Sequence, residues 1–300
     1  MTQPTVIGHT MKRLAAALAA AAMLAGLAAC GGGDARTNAL DVVASVDQWG
    51  GLAAELGGDH VNVTSILSGT NVDAHDYEPT AQDVAAISTA DVAVANGAGY
   101  DAWAVKAVDN TDVPLVDVAE TAEVKTGANP HLWFSAEART EAADAITAAY
   151  AKADPDHADA YQRLNKAWRE RESELETRIA ETAETLDGID YAATESVAGY
   201  LAENLGLTNV TPKGYTQAAA NESEPTPGDV RAFVELLEQG GAGLLVVNTQ
   251  ETNSTVESLV QAAETGGVPT VDVTEQMPAD YTDLVSWIGG LVDQIAAARG

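Results

Sequence analysis

The sequence predicts an α/β protein of two (β/α) lobes with parallel sheets, joined by one long spine helix. Three observations carry that expectation. Short β-branched runs alternate with Ala-rich segments of helical length, the alternation resumes after Gly188, and between the two series lies a stretch of about thirty residues free of Gly and Pro. In the first series Val42-Val43, Val61 to Leu67, Val92 to Ala95 and Leu115 to Val118 read as strands. Ala81 to Ser88 and Ala136 to Ala151 read as helices. Such alternation builds βαβ units, whose parallel sheet is covered on both faces. At Asp154-Pro155-Asp156 a proline suited to a first helical turn opens the long stretch. Within it Tyr161, Leu164, Trp168, Leu175, Ile179 and Leu186 recur at steps of three, four or seven, an apolar stripe on one side of a helix. Arg163, Arg169, Glu170, Glu174 and Arg178 form its solvated face. The stripe spans too few heptads for a coiled coil. In the second series Tyr191 to Thr194, Leu244 to Val247 and Thr270 to Val273 read as strands. Val197 to Leu205, Pro227 to Gln239, Ser254 to Thr265 and Tyr281 to Ala298 read as helices, and no internal sequence repeat accompanies the repeated pattern.

The N-terminus has a different character. Lys12-Arg13, an apolar run from Leu14 to Leu27, and Leu27-Ala28-Ala29-Cys30 before three glycines form an export leader. The run is shorter than the roughly twenty residues a spanning helix needs. Leu-Ala-Ala-Cys resembles a bacterial lipobox, which makes Cys30 the lipidated first residue of the mature chain. Cys30 is also the only cysteine, so no internal disulfide is available. The expected organisation is a signal peptide at 1–29, a Gly-rich tether at 30–38, an N-terminal lobe at 39–155, a linking helix at 156–187 and a C-terminal lobe at 188–300. Lys+Arg is 15 against Asp+Glu 45, a formal net charge of −30, and the leader removes basic residues only. A field of that sign excludes nucleic acid and other polyanions as partners.

Parallel α/β sheets bind ligands at the carboxyl ends of their strands. Metal-capable side chains that follow a strand are therefore the candidates: His75 after the strand ending near Leu67, His131 after Val118, Glu195 after Thr194 and Glu275 after Val273. Taken singly each has an ordinary explanation, a surface loop for a histidine or a helix N-terminus for a carboxylate. Together, two imidazoles and two carboxylates suit Mn²⁺, Zn²⁺ or Fe²⁺. Copper(I) would want sulfur, and a Ca²⁺ or Mg²⁺ cage all oxygen. His9 leaves with the leader, and His60 and His157 read as surface residues.

Four segments then resemble a known family. Trp49-Gly50-Gly51-Leu52 running to Gly57-Gly58, Asp73-Ala74-His75-Asp76-Tyr77-Glu78-Pro79-Thr80, Ala90-Asp91-Val92 leading to Asn96-Gly97, and Asn129-Pro130-His131-Leu132-Trp133 follow the order found in the metal-binding lipoproteins of zinc and manganese ABC importers, the ZnuA/TroA-like solute-binding proteins. The similarity continues through Asp154-Pro155, the spine, Glu195 to Leu207 and Val268-Pro269, nearly the whole mature chain. The resemblance implies one metal held in the cleft between the lobes by a ligand from each of four segments. The family's first two histidines fall on His75 and His131, and its third ligand, histidine or glutamate, on Glu195. The fourth, usually aspartate, falls on Glu275, with Asp272 as a competitor inside the strand. The loop from Glu120 to Ala128 lacks the histidines many zinc members carry there, which leaves Zn or Mn as the transported ion. The implied partner is a membrane permease, served by a monomer anchored through Cys30 on the outer face of the cell membrane. An adhesin or structural lipoprotein of the same fold is the alternative. A metallohydrolase is disfavoured, because each ligand stands alone on its segment with no His-Glu-x-x-His pair.

Overall fold

The computed structural model describes Met1 and residues 39–70, 77–221 and 223–299. The leader, Cys30 and His75 lie outside the described residues. The first series folds as β1 (Leu40–Val46), β2 (Val61–Leu67), β3 (Val92–Ala95) and β4 (Leu115–Asp117), all parallel in the order β2-β1-β3-β4. Around it lie α1 (Asp47–Gly57), α2 (Ala81–Ser88), α3 (Ala102–Ala107), α4 (Val118–Thr121) and α5 (Ala136–Ala153). After the spine α6 (Ala158–Thr185), the second series gives β5 (Asp190–Ala193), β6 (Thr208–Asn209), β7 (Leu244–Asn248) and β8 (Thr270–Val273). These are also parallel, in the order β6-β5-β7-β8, with α7 (Gly199–Asn204), α8 (Lys213–Ala220), α9 (Pro227–Glu238), α10 (Ser254–Gly266) and α11 (Leu284–Ala297). The two sheets share one connectivity, and each reverses direction between its first and third strands, the switch point where a crevice opens.

Local chemistry explains where the elements begin. Thr80 and Asp83 form a capping box at the start of α2, as Thr226 and Asp229 do for α9, where Pro227 occupies the first turn. Asn253 accepts from Thr255 N and Val256 N to cap α10, and Gly267 ends that helix in the left-handed conformation. Elements that the sequence does not single out are β6, whose two residues are both exposed, and the helices α1, α3, α4 and α8, with Val118 opening α4 rather than ending a strand.

The core runs unbroken from one sheet through the spine to the other. Trp49, Trp133 and Tyr150 on the N-terminal side join Tyr161, Trp168, Leu175 and Ile179 of α6 and Leu244, Ile288 and Trp287 beyond it. Phe134 meets Trp287 with ring centroids 5.2 Å apart. Smaller clusters sit under the outer helices, around Ile87 and Ala93 in one sheet and Phe233 and Leu259 in the other. Of the anticipated stripe, Tyr161, Trp168, Leu175 and Ile179 are buried on α6, Leu186 is buried just past its end, and Leu164 is half-buried.

Two features go beyond what the sequence announces. Glu172 lies buried within the stripe, where Arg139 of α5, itself fully buried, donates to Glu172 Oε1 from Nε at 2.9 Å and from a terminal nitrogen at 2.6 Å. The same guanidinium reaches Glu176 Oε1 at 2.8 Å and the carbonyl of Trp133 at 3.0 Å, tying the spine to the segment after His131. His60 and His157, expected on the surface, are partly exposed, with their rings stacked 4.0 Å apart. His157 Nδ1 lies 2.7 Å from Asp154 Oδ2, which also accepts from the Tyr161 hydroxyl at 2.8 Å, because the turn before β2 packs on the start of the spine. Further along, Arg171 bridges Glu55 of α1 (2.6 Å) and Asp283, the cap of α11 (2.5 Å), joining both lobes to the spine. Among the described residues no helix is long and apolar enough to cross a membrane.

Removing one partner of a buried ion pair leaves the other charge uncompensated. Arg139→Met is expected to destabilise the fold by about 3–5 kcal/mol in urea unfolding followed by tryptophan fluorescence. The double variant Arg139→Met with Glu172→Met is expected to recover most of that loss; no recovery would contradict a pairing role.

Candidate metal centre

The site grows from the carboxyl ends of both sheets. At the end of β3, Asn96 and Gly97 turn sharply, their backbone N–H groups donating to the two oxygens of Asp101 at 2.6 and 2.8 Å. Gly97 has φ 74°, and a Cβ there would stand 2.0 Å from Asp117 Oδ1, so glycine is required. The Asn96 side chain accepts from Trp49 Nε1 at 2.9 Å and donates to the carbonyl of Pro130 at 2.9 Å. This holds the Asn129-Pro130-His131 segment, and it accounts for two of the motifs noted in the sequence.

Asn129 then decides which face of His131 is presented. Its Nδ2 donates to the Ser196 carbonyl at 2.8 Å, so its oxygen is the atom turned to the imidazole. That oxygen takes the His131 backbone N–H at 3.1 Å and lies 2.6 Å from His131 Nδ1, which must therefore carry the proton. Nε2 is left with a bare lone pair. Tyr100 and Trp133 meet the ring edge-on, with centroids 6.1 and 5.4 Å away. Buried and without a hydrogen-bond partner among the described residues, Nε2 faces Glu275 Oε1 at 3.9 Å. That is too long for a hydrogen bond and close to the span of two metal–ligand bonds of about 2.0–2.2 Å each.

The carboxylates come from the second sheet. Glu275, 3% exposed, follows β8, and Glu195 follows β5. Asn248, at the end of β7, donates to both, to Glu195 Oε2 at 2.5 Å and Glu275 Oε1 at 3.2 Å. Tyr100 of the N-terminal lobe donates to Glu275 Oε2 at 2.6 Å, and Gln48 Nε2 to the Glu275 carbonyl at 2.5 Å. Gln250 Oε1 takes the backbone N–H groups of Glu275 and Gln276 at 2.6 and 3.0 Å. Asp272, the competitor for the fourth position, is exposed within β8 and stands outside this cluster. A residue the sequence reading passed over joins it: one oxygen from each of Glu195, Glu251 and Glu275 lies within 4.8 Å of the others. Glu251 stands three residues past the end of β7, so the strand-end rule that selected Glu195 would have found it too. Asn248 and Tyr100 carried no such signal.

Crowded acids in a partly dry site resist ionisation. Burial, then the hydrogen bond with Glu251 and the charges of Glu251 and Glu275, push the Glu195 carboxyl up from 4.5 to about 9, against a smaller opposing effect of Asn248. A carboxyl whose folded value is raised holds a proton that the unfolded chain gives up, so its contribution to stability is fully present below about 4.5 and is lost as pH rises toward about 9. In the presence of chelator, Tm is expected to fall from pH 5 to pH 9, and Glu195→Gln to flatten that fall. An identical slope in the variant would remove Glu195 as its source.

Comparison with known proteins gives the family and the fold. Residues 42–298 match the family model of zinc-uptake complex component A, periplasmic, ZnuA. The chain is similar to the manganese-binding lipoprotein MntA of Halalkalibacterium halodurans, 27% identical over 274 residues and 87% of each chain. It is also similar to the iron-binding protein YfeA of Yersinia pestis, 26% identical over 264 residues and 83% of each chain. Its fold is that of the periplasmic zinc-binding protein TroA from Treponema pallidum, with a TM-score of 0.74 at 18% identity, covering 87% of this chain and 99% of that one. With a family match that spans residues 42–298, well over half of the chain, the protein belongs to the ZnuA family of zinc-uptake components.

Proposed function

We propose that this protein captures a divalent transition metal, manganese or zinc, outside the cytoplasm and hands it to the permease of an ABC importer, anchored meanwhile through lipid on Cys30. The observation that carries the reading is the buried Nε2 of His131, without a hydrogen-bond partner among the described residues, aimed at Glu275 Oε1 of the opposite lobe, an acid that stands with Glu195 and Glu251. His131 Nε2, Glu195 and Glu275 would contact the ion, and the family resemblance supplies His75 as the fourth ligand. The metal names of the relatives agree with such a donor set, since imidazole and carboxylate together suit manganese, iron and zinc.

The reading is one of binding and release, with no catalytic step. Capture removes the proton held on Glu195 and replaces it with the cation's charge, so affinity should rise with pH. Release is expected through small displacements of the strand-end loops. The continuous apolar core and the Arg171 bridge between Glu55 and Asp283 oppose a wide hinge opening.

Equilibrium dialysis against Mn²⁺ and Zn²⁺ tests the assignment. One ion per chain is expected, with His131→Ala losing at least about 100-fold in affinity and Asp272→Asn unchanged. Stoichiometric tight binding by His131→Ala would refute the reading.

A further inference from the structure

Glu251 is unexplained by the four-ligand set. It sits on the bend between β7 and α10, a segment held at both ends. Thr249 N donates to Val273 O at 3.0 Å and Gln250 N to Asn248 Oδ1 at 3.1 Å, while Asn253 caps α10. The bend therefore cannot drift freely, and it presents Glu251 to two other acids. Both amide hydrogens of Asn248 are committed, one to Glu195 and one to Glu275, leaving none for Glu251. Among the described residues no lysine or arginine forms an ion pair with Glu195 or Glu251. Three ionised acids so placed would separate in solvent, and without a cation Glu195 and Glu251 are held together by a hydrogen bond between their carboxyl groups. One of the three acids, Glu275, faces the buried Nε2 of His131, which has no hydrogen-bond partner among the described residues, an independent sign that a cation belongs there.

We propose that Glu251 is a third carboxylate of the metal centre, contributing an oxygen to the bound ion and tilting the site toward manganese over zinc. The inference rests on the metal-capture reading and deepens it. Zinc is content with four ligands at tetrahedral angles, and it outcompetes manganese at most mixed nitrogen and oxygen sites. A protein that must hold manganese gains selectivity from oxygen donors beyond those four, since manganese accepts a larger, oxygen-rich sphere. Glu251 supplies such a donor from a loop of its own, with an oxygen within 4.8 Å of oxygens of Glu195 and Glu275, the two acids that Asn248 holds.

The test compares the wild type with Glu251→Gln, and with Glu257→Gln, which removes the same charge from an exposed position on α10. Mn²⁺ and Zn²⁺ affinities are read by competition with a fluorescent chelator, and folding by thermal unfolding in excess chelator. Glu251→Gln is expected to weaken Mn²⁺ by at least about tenfold and Zn²⁺ by less than about threefold, with a changed electron paramagnetic resonance spectrum of bound Mn²⁺. Glu257→Gln is expected to leave both affinities and the spectrum unaltered. Unchanged Mn²⁺ affinity in Glu251→Gln, or an equal loss for both ions, overturns the inference while leaving metal capture intact. Failure of the wild type to bind either ion would instead overturn the proposed function. Glu251→Ser, which removes the side-chain donor altogether, is read in the same way if the glutamine variant unfolds.

Discussion

A single amide orients the centre. Asn129 spends its Nδ2 hydrogen on the Ser196 carbonyl of the far lobe, and its oxygen is then obliged to accept from His131 Nδ1. That choice of tautomer strips Nε2 of its proton and points a lone pair at Glu275. Tyr200 adds to the grip by donating to the Asn129 carbonyl at 2.9 Å. The histidine loop thus belongs to the N-terminal lobe by sequence and to both lobes by hydrogen bonding, so the cleft closes around groups that are already oriented. Preorganisation of this kind lowers the ordering cost of binding.

The remainder of the fold defends that arrangement. Arg139 carries the constraint outward, holding the Trp133 carbonyl with one nitrogen and the spine's Glu172 with others. Apolar packing from Phe134 to Trp287 joins the lobes beneath the site, and Arg171 ties both to the spine along one flank. A parallel sheet with a switch point supplies the crevice in each half, and the hydrogen bonds of Tyr100 to Glu275 and of Asn129 to the Ser196 carbonyl bring strand-end loops of the two sheets together. Function is then a matter of which side chains end each strand.

Much of this was legible in the sequence because it is periodic or local. The strands β2, β3 and β8 and the stripe of α6 announce themselves through apolar runs and helical spacing. Glu195 and Glu275 stand out as acids directly after strands. What escaped depends on contacts across the fold. Glu172 looks like a solvated residue until Arg139, 33 positions away, is brought beside it. The stack of His60 on His157 joins the turn before β2 to the start of the spine, and Tyr100 reaches Glu275 across 175 positions. Asn248 reads as the tail of a buried strand, yet its amide sets the spacing of two acids. Glu251 was missed for a different reason: the strand-end rule covers it, but the resemblance offers no ligand at its position.

The most direct test of the account is anomalous diffraction from crystals of the mature chain grown with Mn²⁺ or Zn²⁺. The account predicts one strong peak bonded to His131 Nε2 and to the carboxylates of Glu195 and Glu275, with the Asn129 oxygen still on Nδ1. A peak bonded through Nδ1, or seated away from this cleft, would contradict it.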